Sequence, residues 1–155
     1  GPAFWRKHGF HHALLLPDYK GDGTRYHRTF AKIGFRPKHA DLVSFIELLH
    51  VPTVGRNTLG PEDLNSHHLS KLKAAMFSGR AQCVFLSAGV VRLLKATRQF
   101  RELERTSGLA GSLRILHEDT DRTIFQHLHF ANYGKFEAQL RAERETIAAL
   151  IPCGD

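Results

Sequence analysis

Two histidines separated by one residue stand in the segment "QHLHFANYGKF" at residues 126–136, just before a helical pattern. They are His127 and His129. A neutral imidazole offers one N–H donor and one acceptor nitrogen, so a histidine held at a strand end can stabilise charge that develops on a reacting group. Of the two rings, we expect that of His129 to do chemistry and that of His127 not to. The alternative is that His129 only caps the following helix or bonds neighbouring backbone.

The apolar pattern around these histidines predicts the elements that would position them. The run "QCVFLSAG" (82–89) ends in small residues and passes directly into the helical "VVRLLKATRQF", which is typical of the strand–turn–helix unit of a parallel α/β sheet. "SLRILHED" and "RTIFQHLHF" either pair as a hairpin, or the second is the last strand of the sheet. We expect a three-layer α/β/α sandwich with a central mainly parallel sheet, in which "QCVFLSAG" is an inner strand with helices on both faces.

Two further helices are predicted from caps and spacing. Gly60 and Pro61, followed by two acids, indicate a helix start, and that helix should end near Gly79. Leu64, His68, Leu69, Leu72 and Met76 recur along it at helical spacing. The final amphipathic helix is marked by Phe136, Leu140, Ile147 and Leu150 and stopped by Pro152. The apolar runs at 12–16 and 42–51 are too short to be assigned to a helix or a strand, and we expect them to be buried.

Length and composition are those of one cytosolic domain. The chain has 155 residues, with no run of about 18 apolar residues, no signal-peptide core and no repeat. Cys83 and Cys153 are expected to be reduced thiols. Eleven histidines raise the question of a metal, but His11-His12 and His67-His68 are adjacent pairs that point apart, and no HExxH or Cys-x-x-Cys motif is present. Neither a metal nor another cofactor is therefore expected, and no phosphate loop or nucleophile elbow appears.

The net charge of +7 suggests a polyanionic partner, although a basic excess equally well serves solubility. The excess is heaviest in residues 6–38, which include Arg25, Arg28 and Lys32. In open α/β sheets, ligands bind at the carboxyl ends of the strands. Three stretches lie at such predicted ends, namely Leu49–Pro52, Ser87–Gly89 and His129–Asn132.

These stretches resemble the uracil-DNA glycosylase superfamily. "TFAKIGFRPKHADLVSFIELLHVPTVGRN" is similar to the family's helix, "IGF", "DL" turn, base-reading strand end, "TV" and arginine. "LSKLKAAMFSGRAQCVFLSAGVVRLL" looks like the next helix and strand, and "HFANYGKF" takes the place of the family's His-Pro-Ser-Pro or Asn-Pro-Ser motif. "HGFHHA" is similar to the glycine-plus-aromatic segment near the first catalytic motif. The resemblance spans most of the chain in order and spacing, with no single motif intact.

The resemblance implies a role for several residues in base excision, in which a base is flipped out of the stack and its N-glycosidic bond is hydrolysed. Phe10 would stack on the base, and its alternative role is as a core phenylalanine. His50 stands where the family often has asparagine and would read the base edge, although imidazole cannot contact uracil in the same bidentate way. His129 would donate to O2 of the departing uracil. Asn132 replaces a proline of the motif, and Tyr133 would be the wedge that fills the gap left by the flipped base.

The position of the water-activating residue depends on the register of the resemblance. In one register, the family's Asp or Asn would precede Gly1, and the first strand and first catalytic motif would be missing from these 155 residues. In the other, "ALLLPDYKG" is the first strand with its motif, and Asp18 is the water-positioning carboxylate. We favour the first register, in which Asp18 belongs to an ordinary turn.

The sequence thus predicts a DNA-repair glycosylase-like hydrolase for uracil or a related deaminated base. It would be monomeric, located in the cytoplasm near the nucleoid, and bound to single- or double-stranded DNA but not to a membrane. Arg25, Arg28 and Lys32 would contact the DNA backbone. The alternative is a non-catalytic, degenerate glycosylase-like module that binds DNA or a protein.

Overall fold

The computed structural model describes residues 59–103, 108–130 and 134–151, together with positions 29, 30, 32–34, 39, 42, 46 and 48. The chain divides into two compact units. One unit is the continuous segment Ile46–His127. The other combines Gly1–Phe45 with Leu128–Asp155.

A four-stranded mixed sheet forms the centre of the unit Ile46–His127. Its strands are β1 (Cys83–Ser87), β2 (Gly108–Ala110), β3 (Leu113–Glu118) and β4 (Thr123–His127). They lie in the order β1-β4-β3-β2. β1 pairs with β4 in parallel, whereas β4 with β3 and β3 with β2 are antiparallel. The described residues therefore form a mixed α/β fold.

The predicted mainly parallel sheet is wrong for the described strands, because two of their three pairings are antiparallel. The physical reason lies in the connections. Gly111 and Ser112 join β2 to β3, and a short polar turn joins β3 to β4, and such short links allow only antiparallel neighbours. The inner position predicted for β1 is taken by β4, which has β1 on one side and β3 on the other. Both alternatives for "RTIFQHLHF" hold, since β4 is the second strand of a hairpin and also pairs with β1.

The β3–β4 turn is closed by the carboxylate of Asp119. Its Oδ1 accepts hydrogen bonds from the backbone amides of Asp121 at 2.8 Å and Arg122 at 3.0 Å, and its Oδ2 lies 2.8 Å from His117 Nε2. The hydrogen bond with His117 and those with the two amides lower the pKa of Asp119 below its ordinary value of 3.8. The side chain of Arg122, at the end of this turn, is buried.

Helix α1 spans Ser66–Ser78 and starts later than predicted. Pro61–Asp63 forms a separate 3-10 turn, and Asn65 is the N-cap, accepting from the amide of His68 at 2.9 Å. The predicted end at Gly79 is confirmed. At this end the buried guanidinium of Arg122 donates from Nη1 to the carbonyls of Met76 and Gly79, at 3.2 and 3.3 Å. A cation is favoured at a helix C-terminus, where carbonyl groups lack intrahelical partners.

The second helix, α2 (Ala88–Ala96), follows β1 without a loop, as predicted. Its packing partners in the unit core are apolar side chains of α1, β3 and β4. The core cluster consists of Leu69, Leu72, Met76, Val91, Leu94, Phe100, Leu103, Leu116 and Ile124. Arg98, just beyond α2, has a positive φ of 60°, a conformation that normally favours glycine.

The third described helix, α3, spans Glu137–Ala149 in the other unit and confirms the predicted final helix. Leu140 and Ile147 are buried, but Leu150 is 41% exposed. Two charged residues, Glu143 and Arg144, are buried on the same helix. Arg144 forms an ion pair with Glu137, with 3.6 Å between Nη2 and Oε1.

Candidate functional site

The carboxyl ends of β1 and β4 meet at one edge of the sheet. Ser87 and His127 are paired in the parallel ladder and are the last residues of their strands. Two residues earlier, the rings of Phe85 and Phe125 stack with centroids 5.3 Å apart. Since side chains of paired positions share a face, Ser87 and His127 continue the face of this aromatic pair. Ser87 also caps α2 by accepting from the amide of Val90 at 3.5 Å.

His127 is only 5% exposed. A ring this deeply buried cannot meet a substrate without a change of structure around it. By contrast, His129 is an exposed residue.

His129 follows the end of β4 by two residues and belongs to the unit that contains α3. Although the residue is exposed overall, partial burial of the ring lowers the pKa of His129 below its ordinary value of 6.5. A lower pKa leaves the imidazole neutral at pH 7, with one N–H donor and one acceptor nitrogen.

The residue after His129 is an apolar anchor. Phe130 is 4% exposed, and its ring lies 6.1 Å from that of Phe30, at an angle of 56° between the ring planes. Tilted aromatic pairs at such distances are favourable. The backbone that carries His129 is thus anchored on its C-terminal side by a buried ring.

The residue before His129 is held by a carboxylate. Glu143 on α3 accepts a hydrogen bond from the backbone amide of Leu128, at 3.0 Å to Oε2 and 3.4 Å to Oε1. Gln139 Nε2, one helical turn earlier, donates to Oε1 at 3.3 Å. Glu143 is 2% exposed, and its burial raises the pKa of the carboxyl above its ordinary value of 4.5, although the two hydrogen bonds act in the opposite direction.

Sequence reasoning missed Glu143, but a signal for it existed. Glu143 lies three residues after Leu140 and four before Ile147, so it shares the apolar stripe of the helix. An acid on such a stripe is buried with it unless the helix rotates. A buried acid needs hydrogen-bond partners, which here are the backbone after β4 and Gln139.

Of the residues predicted to form the site, His129 and Lys32 are described. Lys32 is exposed in a turn in which its amide donates to the carbonyl of Thr29 at 3.2 Å. The other predicted site residues lie outside the described residues. They are Phe10, Asp18, Arg25, Arg28, His50, Asn132 and Tyr133.

Within the described ranges, no group of three or more His, Cys, Asp or Glu side chains is arranged to hold a metal ion. Cys83 on β1 is a free thiol, and burial raises its pKa above the ordinary value of 9.0. The described helices include none that is both long and apolar enough to cross a membrane.

Comparison with protein-family models, with curated proteins and with solved structures gave no match to this chain.

Proposed function

We propose that this chain is a glycosylase-like hydrolase that removes uracil or a related deaminated base from DNA. The observation that supports the proposal most is His129, an exposed residue two positions after the end of β4, with an anchored residue on each side. Hydrolysis of an N-glycosidic bond leaves negative charge on the departing base. A donor that is already in place for this charge stabilises the transition state without reorganisation.

In this proposal the neutral His129 ring donates its N–H to O2 of the departing uracil. The lowered pKa supports this role, because the ring then enters the reaction as a neutral donor and brings no positive charge that must be desolvated. The other parts of the proposed site come from the resemblance. Phe10 stacks on the base, His50 reads its edge, Asn132 shapes the loop and Tyr133 fills the space left in the duplex.

The proposal includes a three-layer α/β/α arrangement, and it requires a residue that positions water. This residue either precedes Gly1 or is Asp18. The positive net charge of +7 supports a DNA partner, with Arg25, Arg28 and Lys32 on the phosphates. The protein would work as a cytoplasmic, nucleoid-associated monomer.

A non-catalytic glycosylase-like module that binds DNA or a protein is the second candidate. The departures from the family's motifs favour it, since Phe130 and Asn132 stand where the family has prolines. Such a module would use the same basic residues without breaking a bond.

An excision assay on uracil-containing oligonucleotides separates the two candidates. We expect base release in a polypeptide that carries the water-positioning residue, and a decrease of about 100-fold or more for His129→Ala, as is usual when a transition-state donor is removed. His67→Ala, on the exposed surface of α1, is the matched control. DNA binding without any base release would favour the non-catalytic module.

Asp18→Asn distinguishes the two registers. If residues 1–155 release uracil and Asp18→Asn abolishes this release, Asp18 positions the water and our preferred register is wrong. If residues 1–155 are inactive and become active when preceded by a segment that carries the family's first motif, the preferred register is supported.

A further inference from the structure

The segment that carries His129 is attached to α3 by a buried side chain. Strand β4 ends at His127, so the amide of Leu128 lies beyond the last paired residue of the sheet. Both carboxylate oxygens of Glu143 lie within 3.4 Å of this amide nitrogen, with Oε2 the closer at 3.0 Å. The peptide plane next to His129 is therefore oriented by a residue of the following helix, α3.

We infer that Glu143 is the positioning residue of His129, orienting the backbone from which its ring projects. The role of His129 in catalysis rests on the proposed function, whereas the orienting contact itself stands on the geometry. Glu143 does not touch a reacting atom in this scheme. It acts through the Leu128 amide.

The presence of a carboxylate at this buried position supports a specific role for Glu143. A carboxylate that is 2% exposed is costly to bury, and an apolar side chain on this stripe would avoid that cost. Glu143 instead accepts hydrogen bonds from two donors, the Leu128 amide and the Gln139 side-chain amide. Hydrogen bonds to a carboxylate are stronger than those between neutral groups, so this contact can fix the orientation of the Leu128 peptide group.

The opposite side of His129 is anchored independently, by the contact between Phe130 and Phe30. With Leu128 and Phe130 both held, the backbone between them has little freedom, while the His129 residue stays exposed. This combination of a fixed backbone and an accessible ring is what a donor requires if it is to be in place before the reaction begins.

The test compares Glu143→Leu with Glu143→Gln. Leucine suits the buried stripe but removes the acceptor, whereas glutamine keeps a carbonyl acceptor at the same distance along the side chain. Glu145→Leu, on the exposed face of the same helix, is the matched control. Three quantities are measured: hydrogen exchange of the Leu128 amide, the pKa of the His129 ring by NMR, and the kinetics of base release.

For Glu143→Leu we expect the Leu128 amide to exchange about 10-fold faster or more, since a hydrogen bond to a charged group is lost. The pKa of His129 should move back towards its ordinary value of 6.5, because a freer ring is better solvated. Base release should fall about 10-fold in kcat with little change in KM. Glu143→Gln should recover most of each effect, and Glu145→Leu should match the parent.

Unchanged Leu128 exchange and an unchanged His129 pKa in folded Glu143→Leu would overturn the inference, and so would changes of equal size in Glu143→Gln and Glu143→Leu. If Glu143→Leu does not fold, Gln139→Ala takes its place, because it removes the side-chain donor to Glu143. In that variant, Leu128 exchange should rise at least about twofold, and no rise would again overturn the inference. Absence of base release from a polypeptide that carries the water-positioning residue would refute the proposed function alone, since exchange and titration still decide the positioning role.

Discussion

Ser87 and His127 are direct partners in the parallel ladder between β1 and β4, and each is the last residue of its strand. Both strands therefore end at the same edge of the sheet. After Ser87 the chain enters α2, and after His127 it continues to Leu128 and His129. The strand end that precedes Leu128 and His129 in the chain is thus fixed by parallel pairing between residues 40 positions apart in sequence.

The first prediction concerns the titration of His129. Because partial burial lowers the pKa of the ring below 6.5, we expect His129 to become protonated only at a more acidic pH than an ordinary histidine. Two-dimensional NMR of the histidine rings measures this directly, with His129→Ala used to assign the resonance. A midpoint at or above 6.5 would contradict the prediction.

The second prediction concerns the pH dependence of stability through Glu143. Its pKa is raised in the folded protein, so the folded state binds the proton more tightly than the unfolded state does. The resulting stabilisation is fully present below the ordinary carboxyl pKa of 4.5 and is lost as the pH rises through the raised value. Glu143→Gln should remove this part of the dependence, so that its stability relative to the parent increases as the pH rises above 4.5.

Urea unfolding at a series of pH values measures this effect. Glu145→Gln is the control, since Glu145 is exposed on the same helix and should leave the pH dependence unchanged. A constant difference in unfolding free energy between Glu143→Gln and the parent across this range would show that burial of the carboxylate has no such consequence.

The third prediction concerns DNA binding. If the basic residues contact phosphates, affinity for short DNA should decrease steeply with salt, and charge reversal of Arg25, Arg28 and Lys32 to glutamate should weaken binding for every base sequence. Fluorescence anisotropy at several salt concentrations provides the measurement. Reversal of the exposed Lys71, Arg80 and Arg101 changes the net charge equally and is the control. Equal losses for both sets would indicate only a general effect of charge.

The fourth prediction concerns the stability of the residue after α2. Arg98 has a φ of 60°, which costs a residue with a side chain about 1 kcal/mol relative to glycine. We therefore expect Arg98→Gly to raise the free energy of unfolding by about that amount. Arg92→Gly, at an exposed position inside α2, should lower it by about 1 kcal/mol. Thermal or urea unfolding of the two variants should show shifts of opposite sign.

Local patterns in the sequence predicted much of the described structure. The passage from β1 into α2, the end of α1 at Gly79 and the extent of α3 all follow from apolar spacing and helix caps within a few residues. The start of α1 was predicted too early, because Gly60-Pro61 begins a separate 3-10 turn and Asn65 supplies the cap. Such signals act between near neighbours in the chain, so the sequence alone carries them.

What the sequence by itself determined is therefore the type and approximate extent of the described elements. Only the tertiary structure decided that β4 lies between β1 and β3, that two of the three pairings are antiparallel, and that Glu143 binds the amide of Leu128. The physical reason is that strand pairing and buried polar contacts join residues far apart in the chain. Their partners are selected by packing and by the need to satisfy buried hydrogen-bonding groups, neither of which leaves a periodic pattern in the sequence.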